Sequence, residues 1–407
     1  MSTTFPAAFA TSLVPTIFRK IGLPLADFWV FSLPVIPYWL RWAVGPVVDS
    51  YWNDRIGRRK SWMLPCTFGA VGAYCVLALF PPQMATLWIV VAIIFVKSMF
   101  TATQEVAIDA YMVDIVREQD RPAAAGVIVT SEAFGQMLAL AGLGFVLQHY
   151  GWKYAAVSAA LLMAALLLPN FIRREPPVPD SIVRTIRTDG RRVWHAFRPL
   201  ARYFARRDSW ALVPIYLVSG LFTGSLIAML GPFLIDLKFQ LSAIGLIIGA
   251  TLAGSVLLGS IAGYAALKRF GSGRVLVALA IFAIPSVLPA VWMAYTHTRL
   301  PIPWTIAVLA LPTLMTSIYY VVFGTARIGY ASRLQAGTDY ATSAAITRIG
   351  QTVASGLGGP VAAFFGWHGF FIAVGVLSAV AAGLFYVAHR PIKAMVDQRN
   401  VRETTAA

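Results

Sequence analysis

Long apolar runs, one after another with short polar turns between them, constrain this chain more than any other feature. A bilayer core about 30 Å thick takes about 20 mostly apolar residues per helical span. On that rule the spans fall at residues 5–18, 28–48, 62–82, 84–112, 123–148, 152–172, 211–236, 244–267, 274–296, 303–328, 341–365 and 367–389. Eleven are long enough to cross. The first is short by about six residues: either it crosses where the bilayer thins, or the true start lies upstream of Met1, and the second is the favoured expectation. The composition agrees: 12% of the 407 residues are charged, half the roughly 25% of a soluble domain. The expected class is therefore an all-α polytopic membrane protein, with no length left over for a separate catalytic domain. No cleavable signal peptide is expected, because the start lacks a basic region followed by a small-residue cleavage site. Cys66 and Cys75 lie on opposite helix faces, about 13 Å apart along the axis, so they act as small apolar fillers rather than a disulfide pair.

The polar stretch from Arg173 to Ser209 divides the spans six and six and holds ten arginines. A helix-breaking segment, Glu175-Pro176-Pro177-Val178-Pro179, opens it. Apolar residues at Ile186, Val193, Phe197, Leu200 and Phe204 then suit a basic amphipathic helix lying on the membrane surface over 182–207. The expected units are residues 1–172, a linker 173–210, residues 211–389 and a tail 390–407.

The net charge of +16 is unevenly placed. If the loop between spans two and three is cytoplasmic, 25 Lys and Arg fall on that side and five on the other, Arg19, Lys20, Lys153, Lys238 and Arg299. The positive-inside rule then puts that loop, the linker and the C-terminus in the cytoplasm. The charge matches an anionic inner leaflet and excludes nucleic acid as the partner. The chain also repeats: Gly135-Gln136, Gly144 and Gly151-Trp152 recur 215 residues later as Gly350-Gln351, Gly359 and Gly366-Trp367. Two parallel halves of this kind are an arrangement of alternating-access transporters.

Ionisable groups inside a membrane cost about 2.5–3.5 kcal/mol each on insertion scales and mark cavities or relays. The spans hold Arg41, Lys97, Glu105, Asp109, Glu132 and Arg348. Glu105 and Asp109 share one helix face. Asp109 sits near the cytoplasmic end and suits a gate pairing with Arg41 or Arg58. Glu132, and Glu105 a turn deeper than Asp109, are candidates for taking up a coupling proton; the alternative for Glu132 is a permanent salt bridge with Lys97 or Arg41. Arg348 breaks the repeat, with Ala133 at the matching place, and suits an anchor for an anionic substrate; its alternative is a partner for Glu132. Lys97 could serve either purpose. Gln104, Gln136, Gln351 and Tyr319 complete the candidate cavity. Tyr320 and Phe323, with Trp292 and Tyr295, could line it with aromatic rings, although belts and cores use such residues more often.

The loop after span two reads Gly45-Pro46-Val47-Val48-Asp49, then Arg55-Ile56-Gly57-Arg58-Arg59-Lys60. A carboxylate at Asp49 can face a neighbouring helix N-terminus, and the arginines can pair with carboxylates in one gate state and release them in the other. This loop resembles the signature loop of the major facilitator family. With Arg41 and Trp62 it resembles one branch in particular, that of the muropeptide permease AmpG, the acetyl-CoA transporters and the RhtX/FptX siderophore permeases. Val44 departs from that branch, where a Trp is usual. Span four supports it with Gln104-Glu105-Val106-Ala107-Ile108-Asp109, Glu105 replacing an Asp. The opening, from Phe5-Pro6 to Leu23-Pro24-Leu25, is most similar to the siderophore permeases.

The resemblance implies a major facilitator fold, two six-helix bundles rocking about a central site, with the first helix partial. It also implies proton-coupled import of a ferric siderophore across the inner membrane by a monomer. A muropeptide or drug transporter, or a membrane sensor without flux, are the alternatives. Nothing points to an enzyme, a metal or a cofactor. His149, His195, His297, His368 and His389 are scattered without metal-ligand spacing, and no phosphate-binding Gly-Lys-Ser/Thr loop occurs.

Overall fold

The computed structural model describes residues 8–53, 55–115, 121–172, 192–330 and 336–405, and every regular element among them is helical. Helix α1 opens with a π turn, Phe9–Leu13, and continues as Val14–Lys20. Helix α2 is a 3₁₀ helix over Leu25–Leu40 followed by an α-helix over Arg41–Ser50. Pro34 and Pro37 account for the tighter winding: each lacks an N–H, and residues three apart eclipse in a 3₁₀ helix, so both gaps fall on one edge. There follow α3 (Lys60–Leu77), α4 (Leu87–Ile115), α5 (Arg121–Tyr150) and α6 (Trp152–Ile172).

Between the halves runs α7, Arg192–Ala205, the described part of the expected surface helix. Residues 182–191 and the segment Glu175 to Pro179 lie outside the described residues. The second half begins with α8, Arg207–Asp236. The continuous stretch Leu241–Tyr295 is broken at Gly271 (φ 76°) into α9 and α10. After α11 (Ile302–Tyr330), the stretch Ala336–Thr405 is broken at Gly366 (φ 71°) into α12 and α13. α13 continues through Thr405, so most of the expected tail is helical. Among the described residues, five helical stretches are long and apolar enough to cross a membrane, and two of them are the stretches that glycine divides.

The 215-residue repeat has a structural counterpart. Gly151 (φ 86°) and Gly366 (φ 71°) both turn the chain with a left-handed backbone that a side chain would oppose. Each is followed by a buried tryptophan whose indole N–H is satisfied: Trp152 donates to the Leu77 carbonyl at 2.9 Å, and Trp367 to the Asp236 carboxylate at 2.7 Å. About two turns of helix earlier, the repeat's middle glycine lies against a backbone carbonyl of the other half in both cases. A Cβ on Gly144 would lie 3.2 Å from the Leu241 carbonyl, and one on Gly359 would collide with the Leu25 carbonyl. These small residues let α5 approach α9 and α12 approach α2, which are the two seams between the halves.

The seams gather at the end of the molecule formed by residues 21–24, 151, 237–240 and 366, here the far end. One continuous core crosses between the halves there, with Phe9, Phe18 and Phe28 of the first half packed among residues that include Phe233, Phe370 and Phe371 of the second. Towards the opposite end, where α7 lies, the described core divides. Val48, Met63 and Ala107 form one cluster in the first half, and Tyr216, Tyr319, Phe323 and Phe385 belong to another in the second. Large apolar side chains such as Leu79, Leu258, Ile281 and Phe364 point outward, as expected of a surface solvated by lipid.

Candidate functional site

Between the halves lies a cavity of about 310 Å³, lined by α1, α2 and α5 of the first half and α8, α11 and α12 of the second. Phe28, Phe31, Val35, Ile227 and Met229 give it an apolar wall; Gln136, Thr223, Tyr320, Arg348, Gln351 and Thr352 give it a polar one. The polar wall is held in place by its own bonds. The Gln351 amide N–H donates to Thr223 Oγ1 at 3.1 Å and also to the Tyr320 hydroxyl, which itself donates to Thr223 at 3.2 Å. Close backbone contact makes this possible: a Cβ on Gly220 would strike the Thr347 carbonyl, and one on Gly224 the Gln351 carbonyl. From the first half, the Trp39 indole N–H donates to Thr352 Oγ1 at 3.0 Å. Arg348 opens onto the cavity and its guanidinium makes no hydrogen bond or ion pair with a described side chain. A fixed polar wall, a cation and an apolar wall suit an amphipathic organic anion.

The sequence expectations distribute unevenly over this site. Gln136, Arg348 and Gln351 line the cavity. Tyr319 does not: its hydroxyl bonds to Ser219 inside the second bundle, and Tyr320, about 100° further round the helix, takes the cavity position. Trp292 and Tyr295 are exposed on α10, away from it. Lys97 and Gln104 are buried inside the first bundle rather than in the cavity. Arg41 pairs with Glu105 at 3.1 Å, joining α2 to α4 within one half. The side chains of Asp49, Asp109 and Glu132 lie outside the described residues. In the loop after α2, Gly57 has φ 109°, Arg55 is exposed, Arg59 is buried, and the Arg58 guanidinium stacks 5.4 Å from the Trp52 ring. Gly45 on α2 faces Val106 of α4.

Two features were not anticipated. Thr223 lies inside Gly220-Leu221-Phe222-Thr223-Gly224, and that small-residue spacing is the signal that could have found it. The other is a clasp at the far end. Arg19 of α1 grips Asp236 of α8 through two bonds, Nε to Oδ1 at 2.8 Å and Nη2 to Oδ2 at 2.7 Å, while Arg19 Nη1 donates to the Leu23 carbonyl at 3.1 Å. Beside it, Gln148 of α5 bonds to Gln240 at 3.1 Å and accepts from the Ser242 backbone N–H at 2.8 Å. Both sets tie first half to second.

The family model described as Major Facilitator Superfamily matches residues 1–333. The chain is 25% identical over 287 residues to the anhydromuropeptide permease of Escherichia coli K12, covering 65% of this chain and 55% of the permease. It is 21% identical over 396 residues to an AmpG-type transporter of Rickettsia felis, covering 92% of this chain and 91% of that one. With an uncharacterised Haemophilus influenzae protein included, the chain spans 55% to 61% of the length of the first curated relatives it matches. In fold it is similar to a bacterial homologue of the human lysosomal transporter Spinster, solved inward-facing and occupied. The TM-score is 0.69 at 17% identity, over 96% of this chain and 95% of that one.

Proposed function

The chain belongs to the Major Facilitator Superfamily, and from that premise we propose that it carries an amphipathic organic anion of the muropeptide class across the inner membrane. That it is a multi-pass membrane transporter and not an enzyme follows from the family itself. The cargo is the proposal. The single observation that carries it is the cavity between the halves, where Arg348 faces an apolar wall across a preorganised polar one. An anhydromuropeptide presents carboxylates, amides and sugar hydroxyls, and the named function of the Escherichia coli relative favours it. Nothing in the relatives named above favours the ferric siderophore expected from the opening residues.

The remaining assignments rest on physical argument. The positive-inside count places the linker, the loop after α2 and the C-terminus in the cytoplasm. The far-end clasp would then close the outer face, leaving the cavity to exchange with the cytoplasm. With no ATP-binding loop in the chain, an ion gradient is the proposed drive, and the proton is the coupling ion assigned here. Arg41 and Glu105 already form an ion pair that protonation of the carboxylate would weaken, and Glu132 is the second candidate. Uptake of radiolabelled anhydromuropeptide by cells lacking their own permease tests the reading. Accumulation that an uncoupler abolishes supports it. Absence of uptake despite membrane insertion removes the cargo assignment.

A further inference from the structure

One set of buried polar groups lies apart from the cavity. Lys97 is 2% exposed, inside the first bundle. Its ammonium makes no hydrogen bond or ion pair with a described residue; its one recorded contact is the face of the Tyr74 ring, 5.9 Å from Nζ to centroid. A charged lysine at that depth is costly, and a ring contact at the edge of cation–π range offsets only part of that. Further along the same face of α4 stand Thr101, Gln104 and Glu105, at helical spacings of three and four residues. Gln104 is 0% exposed; its amide N–H donates to Thr67 Oγ1 at 2.7 Å, but its carbonyl oxygen has no partner among the described residues. The Tyr38 hydroxyl of α2 faces Thr101, and Glu105 meets Arg41.

Among the described residues, the groups facing Lys97 are Tyr74 from α3, Tyr38 behind it from α2, and Glu105 on its own helix, matched by Arg41. A buried carbonyl with no donor and a buried amine with no acceptor among the described residues, about 10 Å apart on one helix face, are what a file of water between them would satisfy.

We propose that this strip is a hydrated proton path inside the first bundle, separate from the cargo cavity, and that Lys97 carries the coupled proton along it. The proposal rests on the proton-driven reading above. A proton delivered by water adds to the lone pair of the Lys97 amine. It leaves Nζ for a water on the Glu105–Arg41 side, and no other bond is made or broken.

Two measurements on the full-length chain test it. Hydroxyl-radical footprinting in lipid nanodiscs needs no cargo. Radicals form where water is bound, so Tyr74 should be oxidised several-fold faster than Tyr319, which is equally buried but bonded to Ser219 in the second bundle. Equal, negligible oxidation of the two overturns the path. In proteoliposomes, Lys97→Met should retain exchange of labelled anhydromuropeptide, which also reports folding, and lose accumulation driven by a pH gradient. Accumulation at the wild-type level overturns the role of Lys97. If the wild type exchanges no anhydromuropeptide, the cargo assignment fails and the footprint still decides the path.

Discussion

Replacing Asp236 by Asn should loosen the far end, and the structure sets the scale. The Asp236 carboxylate receives three donors: Arg19 Nε at 2.8 Å, Arg19 Nη2 at 2.7 Å and the Trp367 indole N–H at 2.7 Å. It is half-buried, with 26% of the side chain exposed against 23% for Arg19, so water screens the pair only partly. Hydrogen bonds to charged groups contribute about 1.5–3 kcal/mol net, while fully exposed ion pairs contribute about 0–1 kcal/mol. Asparagine keeps one acceptor oxygen and loses the charge, which places the loss near 2 kcal/mol, between those bounds. That corresponds to about a 30-fold shift towards the state open at the far end. The Gln148 ties to Gln240 and Ser242 remain, so opening is partial.

The assay is a spin-label distance measurement between Lys20→Cys and Lys238→Cys, both exposed at the far end, in a Cys66→Ser, Cys75→Ser background. With Asp236 present, one short distance dominates; with Asp236→Asn, a longer distance gains population. A distribution unchanged by the substitution would refute the clasp as a determinant of the gate.

Other consequences follow from the same geometry. Gly359→Leu drives a side chain into the Leu25 carbonyl and should cost about 1–3 kcal/mol of stability, read as a lower Tm in detergent. An unchanged Tm would mean that α12 and α2 are not closely seated. Trp152→Phe removes one of two donors to the Leu77 carbonyl, which keeps the Phe80 backbone N–H at 3.2 Å, at a cost of about 0.5–1.5 kcal/mol; thermal unfolding measures it, and a neutral result would sink the argument. Tyr320→Phe should raise the cargo KM, whereas Tyr319→Phe should lower Tm through the lost Ser219 bond and leave KM unchanged. The reverse pattern would exchange their assigned places.

Much of the architecture was legible because membrane solvation forces it. Backbone groups must be satisfied within each helix, so apolar length alone located the spans, and the repeated glycines marked the turn at 366 and the seams. Site residues were legible only where a residue type was conspicuous. Arg348 stood out as a mid-membrane cation that broke the repeat, and Gln136 and Gln351 as its mirrored amides. Tyr319 and Tyr320 could not be told apart, because adjacent residues differ only in rotation about the helix, which packing decides. The 3₁₀ winding of Leu25–Leu40 was not anticipated; Pro34 and Pro37 explain it only once the backbone is seen. The Arg19–Asp236 clasp joins residues 217 apart in sequence, and no local pattern announces such a pair.

The most direct test of the central claim is exchange of radiolabelled anhydromuropeptide by the purified chain in proteoliposomes, with wild type and Arg348→Ala measured side by side. Saturable exchange is expected of the wild type. Losing one charge-assisted anchor, about 1.5–3 kcal/mol, should raise the half-saturating concentration of Arg348→Ala by about 10- to 150-fold. No exchange by the wild type, or the same half-saturation in both proteins, would contradict a cargo held by Arg348 in the cavity between the halves.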